Sequence, residues 1–177
     1  MHQKKFFFMA IFAQWFSRGA FLKVCLNSEF KLILIAGMAC GLLVGPIIQG
    51  AISDRIPRKR AILSGQICTL VSVAIAGYMV LQRVENYTAT LPFVMALAIN
   101  SFLSNISPAC SATMVDRGMK GMEALMSSNF CRYSGLFAAM AIPFLDAQVF
   151  GLALLFNALA FSIVYWKVSS ESLPQNT

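Results

Sequence analysis

Apolar residues in this chain come in long runs, broken by short polar stretches. A bilayer core takes about 20 apolar residues as a helix, and the runs have that length. Six helices are predicted, over roughly residues 5–26, 32–53, 61–81, 91–114, 123–145 and 147–167. The breaks are Asn27-Ser28-Glu29, then Asp54 to Arg60, Gln82 to Thr90, Asp116 to Gly121 and Pro143 to Asp146. The pattern predicts an all-α membrane protein with one transmembrane domain over residues 1–167. Residues 168–177 read as a disordered cytoplasmic tail.

Composition agrees with this picture. Hydrophobic residues make up 58% of the chain and charged ones 12%, against about 25% charged in a soluble domain. The net charge of +7 comes from fourteen Lys plus Arg and seven Asp plus Glu. No basic stripe stands clear of an apolar span, which argues against nucleic acid as a partner. The bases instead sort by side of the membrane. Lys4, Lys5, Arg55, Arg58, Lys59, Arg60, Arg117, Lys120 and Lys167 fall on one side; Lys23, Lys31 and Arg83 fall on the other. The richer side is expected to be cytoplasmic, with both termini there and anionic membrane lipid as a partner. Phe6 to Phe16 has the length of a signal-peptide core, but no small-x-small cleavage site follows. It reads as a retained first helix in a bacterial inner (plasma) membrane.

Chemistry of the enzymatic kind is missing from the sequence. No nucleophile–base pair, phosphate loop or carboxylate dyad is present, so an enzyme is not expected. The five cysteines form no C-x-x-C pair and His2 is the one histidine, so no metal or other cofactor is expected.

Three polar or small-residue patterns lie inside the spans. Gly37, Gly41 and Gly45 recur every four residues and mark one face of helix two, suited to close packing or to sliding. Asn100, Ser104, Ser107 and Ser111 trace one stripe on helix four beside Pro108. That stripe suits a water-lined cavity or hydrogen bonds between helices. Arg18 lies about 13 residues into helix one, roughly 20 Å deep, with Gln14 one turn before it. Arg132 lies about nine residues into helix five, roughly 14 Å deep, with Ser128 and Asn129 one turn away. No acid sits at comparable depth in any span. A charge so placed faces an anionic substrate or lipid group, snorkels, or pairs with an acid at a helix end or on another chain. Asn86-Tyr87-Thr88 matches a glycosylation acceptor in the longest outside loop.

The run Gly50-Ala51-Ile52-Ser53-Asp54-Arg55-Ile56-Pro57-Arg58-Lys59-Arg60 resembles the loop motif between helices two and three of the major facilitator superfamily. Pro57 stands where that family usually has Gly. Phe12-Ala13-Gln14-Trp15-Phe16-Ser17-Arg18-Gly19 is similar to helix one of its efflux-type and lysophospholipid-transporter-like branches. Pro108-Ala109, Asp116, Ala124, Arg132 and Gly135 follow the order seen there in helices four and five. The resemblance implies half of the family fold, six helices built as two inverted three-helix repeats. It implies a transporter that moves a small molecule or amphipathic anion by alternating access, as a half-transporter or a truncated chain. A second six-helix half or a homodimer would complete the cavity. By the same analogy, Gly50 permits a close approach at the helix end, and Asp54, Arg55, Arg58, Lys59 and Arg60 form a gate latch. The rival class is a non-transporting membrane protein, an assembly factor or a lipid-binding scaffold.

Overall fold

The computed structural model describes residues 4–26, 31–81, 104–143 and 146–170. They form six helices and, among the described residues, no strand: α1 (Lys4–Leu26), α2 (Lys31–Arg55), α3 (Arg58–Leu81), α4 (Ser107–Asp116), α5 (Gly121–Ala141) and α6 (Asp146–Ser170). Two stretches, Arg58–Tyr78 of α3 and Gln148–Trp166 of α6, are long and apolar enough to cross a bilayer. Helices α1 and α5 carry more polar residues at their middles, Gln14 to Arg18 and Ser127 to Arg132. Asn86 and Asn100 lie outside the described residues. Helix α6 continues to Ser170, so the segment expected as tail begins inside a helix.

Two expected boundaries are corrected. The break at Asp54–Arg60 shrinks to Ile56 and Pro57, because Pro57 serves as the lead-in of α3. Its carbonyl accepts from Arg60 N at 2.8 Å and Ala61 N at 3.2 Å, and its missing N–H costs nothing at a helix start. Asp54 and Arg55 therefore end α2, while Arg58, Lys59 and Arg60 form the first turn of α3.

The helix expected over 91–114 is the second: among the described residues it begins only at Ser107. Ser104 to Ile106 are non-helical, and Pro108 sits in the first turn of α4. Proline has no N–H for the carbonyl four residues back, and its ring crowds that carbonyl. The carbonyl in question is that of Ser104. The other end of α4 stops at Gly118, whose φ of 80° is the left-handed conformation that favours glycine. Gly118 N donates to Val115 O at 2.9 Å and Met119 N to Met114 O at 3.1 Å, the paired bonds of a Schellman cap.

Helix α1 sits at the centre, and nearly every residue from Ala10 to Phe21 is buried. It packs most extensively on α5 and then on α6, while α3 packs on α6. Gly19 and Gly135 let α1 and α5 come together. A Cβ at Gly135 would stand 2.5 Å from Phe12 O and 3.0 Å from Phe16 N. A Cβ at Gly19 would stand 2.5 Å from Leu136 O and 2.7 Å from Ala139 Cβ. On α2, Gly41 and Gly45 are buried and Leu43 and Ile47 exposed; Gly37 lies on the same helix. At Gly50, a Cβ would meet no described atom beyond its own helix within 4 Å.

The interior is layered. One apolar cluster gathers Phe7, Ile11, Trp15, Ile62, Ile106, Met114 and Val164, among others. A second gathers Phe16, Phe21, Val73, Ala139, Val149 and Phe150. On α3 and α6 the buried polar residues fall between the members of these two clusters, at Gln66 to Ser72 and Asn157; on α1, Gln14, Ser17 and Arg18 straddle the junction of the clusters at Trp15 and Phe16. Large apolar side chains cover the outside instead, with Met122, Met126, Phe130, Tyr133 and Phe137 forming one exposed stripe on α5. Polar side chains buried at mid-bundle and large apolar ones on the outer face are features that helices packed in lipid share.

Candidate functional site

The polar layer is built around the break before α4. Gln14 on α1 reaches into it with both ends of its amide. Its Nε2 donates to Ser104 O at 2.7 Å and to Thr69 Oγ1 at 2.9 Å. Its Oε1 accepts from Ile106 N at 3.1 Å. The side chain thus takes the place of a peptide group, and meets the carbonyl that Pro108 leaves without its helical partner. Gly65 on α3 makes room, since a Cβ there would stand 2.9 Å from Ser104 O. Asn105 Oδ1 accepts from Ser107 N at 3.1 Å. The first amides of α4 are therefore already taken by Gln14 and Asn105, and this helix end is not an anion socket.

Trp15 organises the other side of the layer. Its Nε1 donates to Ser107 Oγ at 3.3 Å. The Arg18 guanidinium stacks with its Cζ 4.5 Å from the Trp15 ring centroid, and Arg132 with its Cζ at 5.8 Å. Both contacts are of the cation–π kind. Arg18 Nη1 also lies 3.5 Å from Asn105 Oδ1, and Arg132 Nη1 donates to Asn129 Oδ1 at 3.2 Å. Two charges that share one ring are no more than roughly 10 Å apart. At an effective dielectric of about 20 they repel by on the order of 1–2 kcal/mol. Arg18 is 0% exposed, and Arg132 is partly buried.

Asn157 ties α6 to α1, with its Nδ2 within reach of Ser17 Oγ at 2.5 Å, Ala153 O at 2.8 Å and Ala13 O at 3.0 Å. Three sets of buried polar atoms in the bundle have no hydrogen-bond partner among the described residues: the Gln66 amide, Ser128 Oγ and Arg132 Nε.

Of the residues expected at a cavity, Gln14, Arg18, Ser104, Ser107, Asn129 and Arg132 are brought together here. The regular stripe on helix four is corrected, since Ser104 lies in the break and Ser107 opens α4. The sequence reading missed Gln66, Thr69, Asn105 and Asn157, and gave Trp15 no role. A single amide or hydroxyl near the middle of an apolar run was the signal for them.

The basic loop motif is elsewhere, at one end of the bundle. Arg58 forms an ion pair with Asp116, which joins the start of α3 to the end of α4. Arg117 lies with its Cζ 5.2 Å from the centroid of the Phe7 ring. At the opposite end Lys23 Nζ donates to Ile142 O at 2.7 Å. Of the motif's charged residues, Arg58 is the one that meets Asp116; Asp54, Arg55 and Arg60 are exposed and Lys59 partly so. Three bases in the first turn of α3 oppose its dipole, and Asp116 offsets one of them. The pair is exposed, so a double-mutant cycle of Arg58→Gln and Asp116→Asn should give a coupling of about 0.2–1 kcal/mol, shrinking at high salt. No family model, curated protein or solved structure matches this chain.

Proposed function

We propose that this chain is the six-helix half of a facilitator-type transporter, which moves a small molecule or amphipathic anion by alternating access. Both termini lie in the cytoplasm, and a second copy or a second six-helix chain supplies the other wall. The observation that carries the reading is the polar layer between two apolar clusters. It holds two guanidinium groups on one indole at the middle of helices whose outer faces are apolar. In transporters of this type the binding site lies near the bilayer midplane, beside broken helices.

The packing supports the same reading. Helix α1 packs on α5 and α2 on α4; α1 packs on α6 and α3 on α4; α3 packs on α6. Exchanging α1–α3 with α4–α6 interchanges α1–α5 with α2–α4 and α1–α6 with α3–α4, and returns α3–α6 to itself. That is the relation expected of two inverted three-helix repeats.

Alternating access requires the layer to open to water in another state. Ser104 and Ser107 are 4% and 0% exposed here. In a cysteine-depleted chain, Ser107→Cys in native membranes should react with an aqueous maleimide, and crosslinking should capture a dimer. A strict monomer with residue 107 sealed from both sides would instead favour the scaffold reading.

A further inference from the structure

The guanidinium of Arg132 is only partly spent. Nη1 is held by Asn129, while Nε is buried and has no hydrogen-bond partner among the described residues. Arg132 meets no carboxylate among the described residues. The edge formed by Nε and Nη2 is the side-on fork of the group, which matches two oxygens of a carboxylate or phosphate. A second cation, Arg18, stands on the same Trp15 ring. Two like charges held so close favour an anion beside Arg132.

The position of Arg132 on α5 bears on how such an anion arrives. At 100° per residue, Asn129 and Arg132 lie between two faces of the helix. One is the buried face of Ser128, Gly135 and Ala139; the other is the exposed stripe of Phe130, Tyr133 and Phe137. The fork is therefore at the rim of the polar layer, with an apolar track beside it.

We infer that Arg132, with Arg18 beside it on the Trp15 ring, binds a carboxylate or phosphate oxyanion side-on through its Nε–Nη2 edge. This rests on the transporter reading for its purpose, since it names the chemical group that the transported molecule carries. The oxyanion is that of a small soluble ion or the head of an amphiphile lying along the α5 stripe.

Trp15 itself is the probe. The chain has two tryptophans, so Trp166→Phe leaves Trp15 as the sole emitter. The full chain in a neutral maltoside detergent is titrated with inorganic phosphate and, separately, with dodecyl phosphate below its micellar concentration. Chloride at equal ionic strength is the control. A saturable change in Trp15 emission is expected with at least one probe. A response to phosphate assigns the soluble ion; a response to dodecyl phosphate alone assigns the amphiphile head. Arg132→Gln should weaken binding by about tenfold or more. Arg132→Lys should weaken it nearly as much, because an ammonium keeps the charge but not the fork. Elution and helicity like the parent's show that the variants are folded. No saturable change in the parent with either probe overturns the inference, whatever the variants do. So does an equal response to chloride, or a folded Lys variant that binds as the parent does. Binding without water access at residue 107 would end the transporter reading and leave the oxyanion site standing; access without binding would do the reverse.

Discussion

Replacing Gly135 with leucine is expected to take the bundle apart. A Cβ at this position would stand 2.5 Å from Phe12 O and 3.0 Å from Phe16 N, and both are backbone atoms of α1. Backbone does not step aside as a flexible side chain does, so α1 and α5 must separate. Their separation pulls Arg132 from the Trp15 ring and loosens the tightest contact of the central helix. Gly135→Ala adds only a methyl group and should cost about 1–3 kcal/mol, the usual range for overpacking. Gly135→Leu should leave no well-defined folded species on size-exclusion chromatography in maltoside. Gly121→Ala is the control, since nothing lies within 4 Å of a Cβ there; it should fall within about 0.5 kcal/mol of the parent. Unfolding titrations with a denaturing detergent would rank the three. A Gly135→Leu chain as stable as Gly121→Ala would show that the two helices are not held as described.

That seam also shows what a sequence conveys and what it withholds. Gly37, Gly41 and Gly45 drew notice because they repeat every four residues. Gly19 is the single glycine of α1, and Gly135 belongs to no glycine repeat. Their importance arises only when α1 and α5 are set side by side, and that is a tertiary fact. The helices themselves were legible because apolar runs of bilayer length leave few other conformations. Their ends were less so. Pro57 and the bases after it looked like a loop, yet proline at a helix start lets Arg58 to Arg60 join α3 at once.

The candidate site was legible in part for one reason: charge at depth is costly, so Arg18 and Arg132 stood out, and Gln14 with them. Their meeting on Trp15 was not legible, since an indole in an apolar run reads as core. Asn157 was missed in the same way. It is one amide in a strongly apolar helix, and its bonds to Ser17 Oγ and Ala13 O cross 140 and 144 residues of chain. Arg58 and Asp116 were both seen as loop charges, but only the fold pairs them.

Gln14→Leu should be nearly as damaging as the glycine change, for a different reason. Its amide spans the break before α4, and leucine fills the same space with nothing to donate or accept. Ser104 O and Ile106 N then each lose the hydrogen bond that Gln14 makes to them. Each such group costs about 1–3 kcal/mol, so the variant should be destabilised by about 3–5 kcal/mol. Gln14→Glu should rescue little. Its carboxylate still accepts from Ile106 N, but it cannot donate to Ser104 O or Thr69 Oγ1, and it turns a negative charge toward a carbonyl. The cause of the loss can be separated from simple repacking by a second change. Pro108→Ala returns the N–H that the Ser104 carbonyl would meet in a continuous helix. In the Gln14→Leu chain it should therefore recover about 1 kcal/mol or more in the same unfolding titration. In the parent it should recover nothing, because Gln14 already occupies that carbonyl. If Pro108→Ala shifts both chains equally, the proline acts through helix propensity alone, and Gln14 is not the group that holds the break open.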